Sequence, residues 1–222
     1  MSSIKLTADS GGGTFEIKAP SSSGNTRVLT LPDAANGNVL TTTSGSSIQV
    51  LEQFFSPCDG STIATSGGNI TLSNITARQQ CTTTFAELTG SSISYVPPSG
   101  TTQVIYTFQF VIASDGDNDG LLYAGFTVDG NEATDARFTQ RLANDYWDTI
   151  CTFTWGINIG GSTTAATGRL ASWTSAKTLI LEVREHGGGN ESQVHYLQNW
   201  GTGYNPQVRK PCIGITAIGV PS

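Results

Sequence analysis

The chain has 222 residues, of which 37% are apolar and 13% charged, and its formal net charge is −6. Both fractions lie below the roughly 45–50% and 25% of ordinary soluble domains, and the 26 glycines favour short strands joined by turns over a helical protein. A negative charge without a cluster of Lys and Arg argues against nucleic-acid binding. The sequence has no run of about 18 apolar residues, so we expect no membrane-spanning helix. The first residues lack a basic region followed by an apolar stretch, so we expect no secretory signal and, for an extracellular protein, release by lysis.

Residues 1–50 form the first of three stretches, rich in Ser, Thr and Gly and with Phe15 as its one aromatic residue. Its alternation predicts short β-strands, but so few apolar side chains cannot offset the roughly 1–2 kcal/mol per residue that ordering a chain costs. We therefore expect identical copies to bury these side chains against each other in an attachment or shaft module. The alternative is an edge hairpin that packs on the main domain. The expected strands are Ile4–Ala8, Phe15–Ala19, Val28–Leu31 and Val39–Leu40, and the expected self-association residues are Phe15, Ile17, Leu29 and Leu31.

Residues 51–100 form a transitional β segment. Residues 101–222 have the pattern of consecutive strands and contain most of the aromatic residues. The segment VIYTFQFVIA (104–113) alternates strictly, and DGN (129–131) after LLYAGFTV predicts a hairpin. About seven or eight such segments without helical periodicity predict an all-β protein whose C-terminal head is an antiparallel β-sandwich, or jelly roll. The expected strands lie at 85–95, 104–113, 121–128, 149–159, 178–183, 193–197 and 212–218, with a helical turn within 133–145.

The opening SIKLTADSGGGTFEIKAP, together with TRVLTLPDAANGNVLTT after it, resembles a short module of tailed-bacteriophage fibre and virion appendage proteins, particularly those of marine phages. The segment FAELTGSSISYVPPSGTTQVIYTFQF (85–110) resembles the start of the C-terminal domain of such proteins. The resemblance implies a homotrimer whose N-terminal part binds other virion proteins, and a sandwich head similar to the trimeric jelly rolls of the tumour-necrosis-factor and C1q type. Because this chain has one module and one head, a short fibre, a head fibre and a capsid decoration protein all stay open.

The segment ASDGDNDG (113–120) is the sharpest candidate for a metal site. Asp115, Asp117 and Asp119, followed by Gly120, match the first half of a calcium loop, in which alternating side-chain oxygens converge on one ion. The position that should supply a bidentate Glu is Phe126, so the second half does not match. A solvated turn is the preferred interpretation, and calcium bound by the three Asp side chains is the alternative.

The sequence contains no catalytic motif. His186 lies in a Gly-rich segment and is expected to be exposed, and His195 is expected on a strand face. No Ser or Cys nucleophile motif accompanies them. We expect no enzyme activity. A polysaccharide depolymerase remains the alternative, but it would need two carboxylates about 5–10 Å apart, and the sequence cannot place such a pair among Asp135, Asp145, Asp148 and Glu182.

The four cysteines also lack the spacing of a zinc site, and without a secretory signal we favour buried free thiols over disulfides. They are Cys58, Cys81, Cys151 and Cys212.

Four aromatic residues lie near turns among polar residues: Tyr146, Trp147, Trp200 and Tyr204. Rings flanked by Asn and Asp suit carbohydrate recognition, because a ring covers the apolar face of a sugar while amides bond its hydroxyls. The preferred alternative is that they fill the ends of the sandwich or the seam between copies, since large aromatic residues are mostly buried.

These observations favour a virion structural protein, assembled in the host cytoplasm and displaying a head that binds host-surface polysaccharide through several weak sites at once. Two alternatives stay open. One is a decoration protein or head fibre without a receptor role, and the other is a soluble lectin-like or polysaccharide-degrading protein.

Overall fold

The structure is a computed structural model, and it describes residues 3–7, 14–18, 48–114, 120–142, 148–187, 192–197 and 207–221. The chain divides into two compact units, Met1–Ser44 and Gly45–Ser222. No helix in the described ranges is long and apolar enough to cross a membrane. The strands of the described residues are β1 (Ser3–Thr7), β2 (Thr14–Lys18), β3 (Gln49–Pro57), β4 (Thr62–Thr65), β5 (Gly68–Thr71), β6 (Gln79–Gln80), β7 (Ala86–Glu87), β8 (Ile93–Tyr95), β9 (Thr101–Ser114), β10 (Leu121–Val128), β11 (Asn131–Glu132), β12 (Phe138–Arg141), β13 (Asp148–Asn158), β14 (Lys177–Glu185), β15 (Ser192–Val194) and β16 (Cys212–Gly219).

The first unit contains an antiparallel pair, β1 and β2, in which Ile4 is opposite Ile17 and Leu6 is opposite Phe15. This pairing confirms the first two expected strands to within one residue at each end. The expected strands at 28–31 and 39–40, which carry Leu29 and Leu31, lie outside the described residues. Burial of the four self-association residues between copies therefore stays a prediction.

The second unit is built from two six-stranded antiparallel sheets, with β4 and β5 as a separate hairpin. In the first sheet β9 is central: β13 pairs with one edge of it, and β16 pairs with the other. β3 pairs with the far edge of β16, and β15 pairs with the end of β9 and with β6. The alternation predicted for 104–113 is confirmed, because its inward residues are all buried: Val104, Tyr106, Phe108, Phe110 and Ile112.

The second sheet has β10 and β14 at its centre. β11 and β12 pair with the other edge of β10, and β7 and β8 pair with the other edge of β14. The predicted DGN hairpin is the turn between β10 and β11, where Asp129 and Gly130 have φ values of 54° and 77°. Positive φ at both central residues is what a two-residue hairpin turn of type I′ requires.

The two sheets pack face to face through aromatic side chains. The ring centroid of Phe126 on β10 lies 5.1 Å from that of Tyr106 on β9 and 5.2 Å from that of Phe153 on β13. The buried Tyr106 hydroxyl donates a hydrogen bond to the Ser91 carbonyl oxygen at 2.7 Å, so its polar end is satisfied. The predicted all-β antiparallel sandwich is therefore confirmed.

Three local features differ from the expectations. The strand expected at 85–95 is two strands, because Gly90 takes a φ of 86° and the Ser91 amide donates to the Leu88 carbonyl oxygen in a tight turn. The helical turn expected within 133–145 is a single 3-10 turn at Thr134–Ala136, and the strand β12 follows it. The strand β3 was not predicted. Its pairing with β16 shifts register between Val50 and Glu52, and this irregularity interrupts the alternation by which a strand is recognised in a sequence.

Candidate interaction face

Apart from Asp148 at the start of β13, the outward surface of the first sheet carries no charged side chain across four neighbouring strands. Cross-strand pairing places these residues on the side opposite the core. Asp148 at the start of β13, and Arg209, whose Nη2 donates to Gln109 Oε1 at 3.3 Å, lie at its margin. We call this surface the uncharged face; its residues are Val50, Gln53, Phe55 and Pro57 of β3, Cys212, Gly214, Thr216 and Ile218 of β16, Gln103, Ile105, Thr107 and Gln109 of β9, and Ile150, Thr152, Thr154, Gly156 and Asn158 of β13.

Large hydrophobic side chains on this side of the sheet are exposed to an extent that is unusual for a folded domain. Phe55 and Ile150 are each 56% exposed, and Val50 is 54% exposed. Ile48, which immediately precedes β3, is 69% exposed and lines a shallow cavity with Ile218. These are four of the five exposed large hydrophobic residues in the described part of the chain. Phe55 and Ile150 lie on the two outer strands of the four, so these side chains are spread over the face, and their concentration on one side of one sheet suggests an interaction site.

Glycines keep the uncharged face flat. A Cβ atom on Gly214 would lie 2.6 Å from Phe55 Cδ2, so the Phe55 ring lies directly across the Gly214 backbone. Gly156 likewise leaves room for the Gln103 side chain, whose amide donates to Asn158 Oδ1 at 2.9 Å. A flat surface can meet another flat surface without leaving large voids.

The polar side chains of the uncharged face bond to each other across strands. Gln53 Nε2 donates to Thr216 Oγ1 at 3.2 Å, and the hydroxyls of Thr107 and Thr154 are 3.4 Å apart. Because each group already has a protein partner, covering the face leaves few polar groups unsatisfied.

The size and charge of the uncharged face suit self-association. Four strands at about 4.8 Å spacing and about nine residues at about 3.3 Å give roughly 600 Å² in projection. A standard interface buries about 800 Å² per partner, so the face provides most of one interface; in a trimer, where each copy contacts two neighbours, it provides part of the contacts. Two copies of a chain with a net charge of −6 repel each other in general, but this face brings no like charges together.

The predicted metal and glycan residues lie outside the described residues, so their arrangement stays a prediction. They are Asp115, Asp117 and Asp119 for calcium and Tyr146, Trp147, Trp200 and Tyr204 for glycan. Among the residues that the structure does describe, no three His, Cys, Asp or Glu side chains form a group that could hold a metal ion.

The two histidines have different environments. His186 is exposed, as expected. His195 directly follows β15 and is fully buried, with a φ of 66°. This left-handed backbone ends the strand and turns the ring inward, so the prediction of a strand-face position is wrong. His195 Nε2 donates to the Thr89 carbonyl oxygen at 2.9 Å, and the ring packs edge-on to Phe108. Burial lowers the pKa of His195 to about 4, so the ring is neutral at pH 7.

The cysteines are free thiols, with Cys58 and Cys81 buried and Cys151 and Cys212 half-buried. Burial raises the pKa of both Cys58 and Cys81 to about 12. Since the thiolate is the reactive form of cysteine, neither buried residue is suited to nucleophilic chemistry at neutral pH.

A pair of carboxylates occurs on the outward surface of the second sheet, where Glu87 of β7 is directly opposite Glu182 of β14. Partial burial, and next the charge of Glu182, raise the pKa of the Glu87 carboxyl group. Sequence reasoning considered Glu182 but not Glu87, because β7 has two residues and lacks a recognisable pattern.

The residues of the uncharged face were also missed from the sequence, although a signal was present. Adjacent residues of a strand point to opposite sides of a sheet, so the pair Phe54-Phe55 requires one ring to face away from the core. In the structure Phe54 packs against the core and Phe55 points outward. Two consecutive aromatic residues within a strand therefore indicated an interaction face.

Comparison with known proteins gives only distant similarity. The sequence matches no protein-family model and no curated protein. Among solved structures, a chain from infectious bursal disease virus strain Gt has 12% identity and a TM-score of 0.31, with 77% of this chain and 38% of that chain covered. A chain from strain Gx of the same virus has 11% identity and a TM-score of 0.31, with 98% and 50% covered. This chain thus spans half or less of those chains, and a TM-score of 0.31 is too low to indicate a shared fold.

Proposed function

We propose that the chain is a virion structural protein: a short trimeric fibre or appendage of the tailed-bacteriophage type, whose head binds the host surface. The observation that carries the proposal is the uncharged face, with its four exposed hydrophobic side chains in or next to β3, β13 and β16. A protein that acts as a monomer gains nothing from such a face, whereas a protein that works only as an assembly buries it.

The N-terminal pattern supports the particle role and the number of copies. SIKLTADSGGGTFEIKAP resembles the attachment modules of phage fibres, and the resemblance implies three copies. Three heads on one fibre present three equivalent sites, so weak contacts with a repetitive host surface add up to a much higher avidity.

Light scattering of the full chain tests the self-association. We expect a mass of about 70 kDa, three times that of the 23.3 kDa chain. Phe55→Lys places three positive charges, one from each copy, in or beside the seam, and should lower the mass to that of one chain. Phe85→Lys is the matched control, because Phe85 is also an exposed aromatic residue, at 43%, but lies beside the second sheet. A wild-type monomer, or a Phe55→Lys trimer, would contradict the uncharged face as the seam.

The place of the protein in a particle needs a separate measurement. Immunogold electron microscopy of particles from a producing culture, with antibodies against the second unit, is expected to label virions. Label on the tail supports a fibre, and label over the capsid supports the decoration alternative. Antigen found only in the soluble fraction would reject the virion role and favour the lectin-like alternative.

Polysaccharide hydrolysis has one observation in its favour, the cross-strand pair Glu87 and Glu182. Retaining glycosidases hold two carboxyl groups about 5–5.5 Å apart, one of them with a raised pKa to act as the acid. We nevertheless expect no release of reducing ends from host polysaccharide, since both side chains lie on an open sheet surface. Release that is lost in Glu182→Gln would reverse this conclusion.

A further inference from the structure

The outward side of the second sheet contains a cavity of about 300 Å³ next to Phe85. Its lining includes the rings of Phe85 and Tyr123, together with the polar side chains of Arg137 and Thr139. Phe85 is 43% exposed, which makes it the one large exposed hydrophobic of the described residues that lies neither in the uncharged face nor directly before β3, as Ile48 does. Three other cavities of 340–370 Å³ formed by described residues have no aromatic ring in their lining.

Gly125, which has no side chain, leaves room for two groups beside the cavity, the Glu132 carboxylate and the Phe85 ring. Gly125 is in the middle of β10, directly opposite Glu182. A Cβ atom placed on Gly125 would lie 3.2 Å from Glu132 Oε1 and 4.0 Å from Phe85 Cε1. The Glu132 carboxylate and the edge of the Phe85 ring therefore lie over the Gly125 backbone, where even the Cβ atom of Ala would crowd Glu132 Oε1.

The two rings are held in place by their neighbours. The guanidinium carbon of Arg184 lies 4.2 Å from the centroid of Tyr123 and 5.3 Å from that of Phe85. The ring of His186 stacks on Tyr123 with a centroid distance of 5.8 Å and an interplanar angle of 22°. Rings that are already fixed lose little conformational entropy when a ligand packs against them.

The polar groups at the cavity form a neutral donor and acceptor pair. Arg137 donates from Nε and Nη2 to the two carboxylate oxygens of Glu132, at 2.6 Å and 2.5 Å. Each partner keeps unused capacity, since a guanidinium has five N–H donors and a carboxylate about four acceptor positions. Their side chains are 58% and 36% exposed, so these positions are open to a ligand.

These features select a ligand with an apolar face and a rim of hydroxyl groups. A pyranose ring has both: its C–H face packs on an aromatic ring, while each hydroxyl can donate to Glu132 and accept from Arg137. Arg184 adds a positive charge, but its guanidinium already contacts both rings and donates to the Glu185 carbonyl oxygen. The exposed groups left for a ligand, Arg137 and Glu132, form an internally neutral pair, which favours a neutral ligand. A second copy of this chain fits the uncharged face, which has no ion pair to desolvate, better than it fits this cavity.

We propose that the Phe85–Tyr123–Arg137 cavity binds a neutral pyranose unit of a polysaccharide. The inference rests on the host-binding part of the proposed function, for which it supplies the residues and the ligand class. Phe85 and Tyr123 provide the stacking surface, and Glu132, Arg137 and Thr139 bond the hydroxyls.

Saturation-transfer NMR on the full chain tests the proposal with the methyl glycosides of glucose, galactose, mannose and N-acetylglucosamine, and with methyl glucuronide as the charged comparison. We expect at least one neutral glycoside to receive saturation at its ring C–H protons, and more strongly than methyl glucuronide does. Phe85→Ala should weaken the affinity at least tenfold, and Phe85→Trp should retain it. Gly125→Val, whose side chain would displace Glu132 and Phe85 from their positions beside the cavity, should also weaken the affinity.

Phe55→Lys is the control on the opposite sheet, and its affinity per chain should equal that of the wild type even where its mass is that of a monomer. The light-scattering mass thus tests the self-association and the glycoside signal tests the cavity, and either proposal can be rejected without the other. Absence of a signal from all four neutral glycosides, a stronger signal from methyl glucuronide, or an unchanged affinity in Phe85→Ala would overturn the proposal.

Discussion

Replacing Phe126 by Ala is expected to lower the free energy of unfolding by about 3–5 kcal/mol, the usual cost of deleting a buried aromatic ring. Phe126 is fully buried and contacts Tyr106 and Phe153 of the facing sheet. Because the loss affects contacts between the two sheets, the remaining side chains cannot close the cavity without moving one sheet against the other. Urea unfolding followed by tryptophan fluorescence, at fixed protein concentration, measures the difference.

Phe85→Ala is the matched control for this measurement, because it removes the same ring from the outer side of the same sheet. We expect it to cost less than about 1 kcal/mol. Phe126→Leu gives a second point if the Ala variant does not fold, with an expected cost of about 1–1.5 kcal/mol. Equal costs for Phe126→Ala and Phe85→Ala would show that the sheets are not held together through Phe126.

Lowering the pH from 7 to 5 is expected to remove about 2 kcal/mol of stability through His195 alone. The pKa of His195 is about 4 in the folded protein, since burial disfavours the charged ring more than the bond to the Thr89 carbonyl favours it. In the unfolded chain the pKa is about 6.5. Between these values the unfolded state binds a proton that the folded state does not, so the free energy of unfolding decreases as the pH falls. Above pH 7 both states are neutral and His195 contributes no pH dependence.

Urea titrations at pH 7 and pH 5 test this expectation in two variants. His195→Gln keeps an N–H near the position of Nε2, and its pH dependence should be smaller than that of the wild type by about 2 kcal/mol. His186→Gln makes the same exchange at the exposed histidine and is the matched control for the loss of an imidazole ring. If the free energy of unfolding of His195→Gln decreases between pH 7 and pH 5 by as much as that of the wild type, groups other than His195 cause the acid sensitivity.

The sequence by itself determined the sandwich and several of its strands. Strict alternation in 104–113 and the Asp129-Gly130 turn are local properties of the chain, and both occur in the structure as expected. A period of two residues can only place every second side chain on one face, so the inward residues of β9 followed directly from it. The Phe54-Phe55 pair contained the further signal of an outward aromatic ring.

Only the tertiary structure decided which side chains lie together on the outward side of each sheet. Alternation shows that a strand has two faces, but not which strands become its neighbours, so the uncharged face and the cavity between Phe85 and Tyr123 could not be derived from local patterns. Phe55 lies across Gly214, and Phe85 meets Glu132 over Gly125, through pairings between residues distant in sequence. His195 became a buried neutral ring because one residue adopted a positive φ, which ended its strand early and turned its side chain into the core. Contacts of this kind depend on which strands become neighbours in the assembled sheets, and local sequence patterns do not specify those partners.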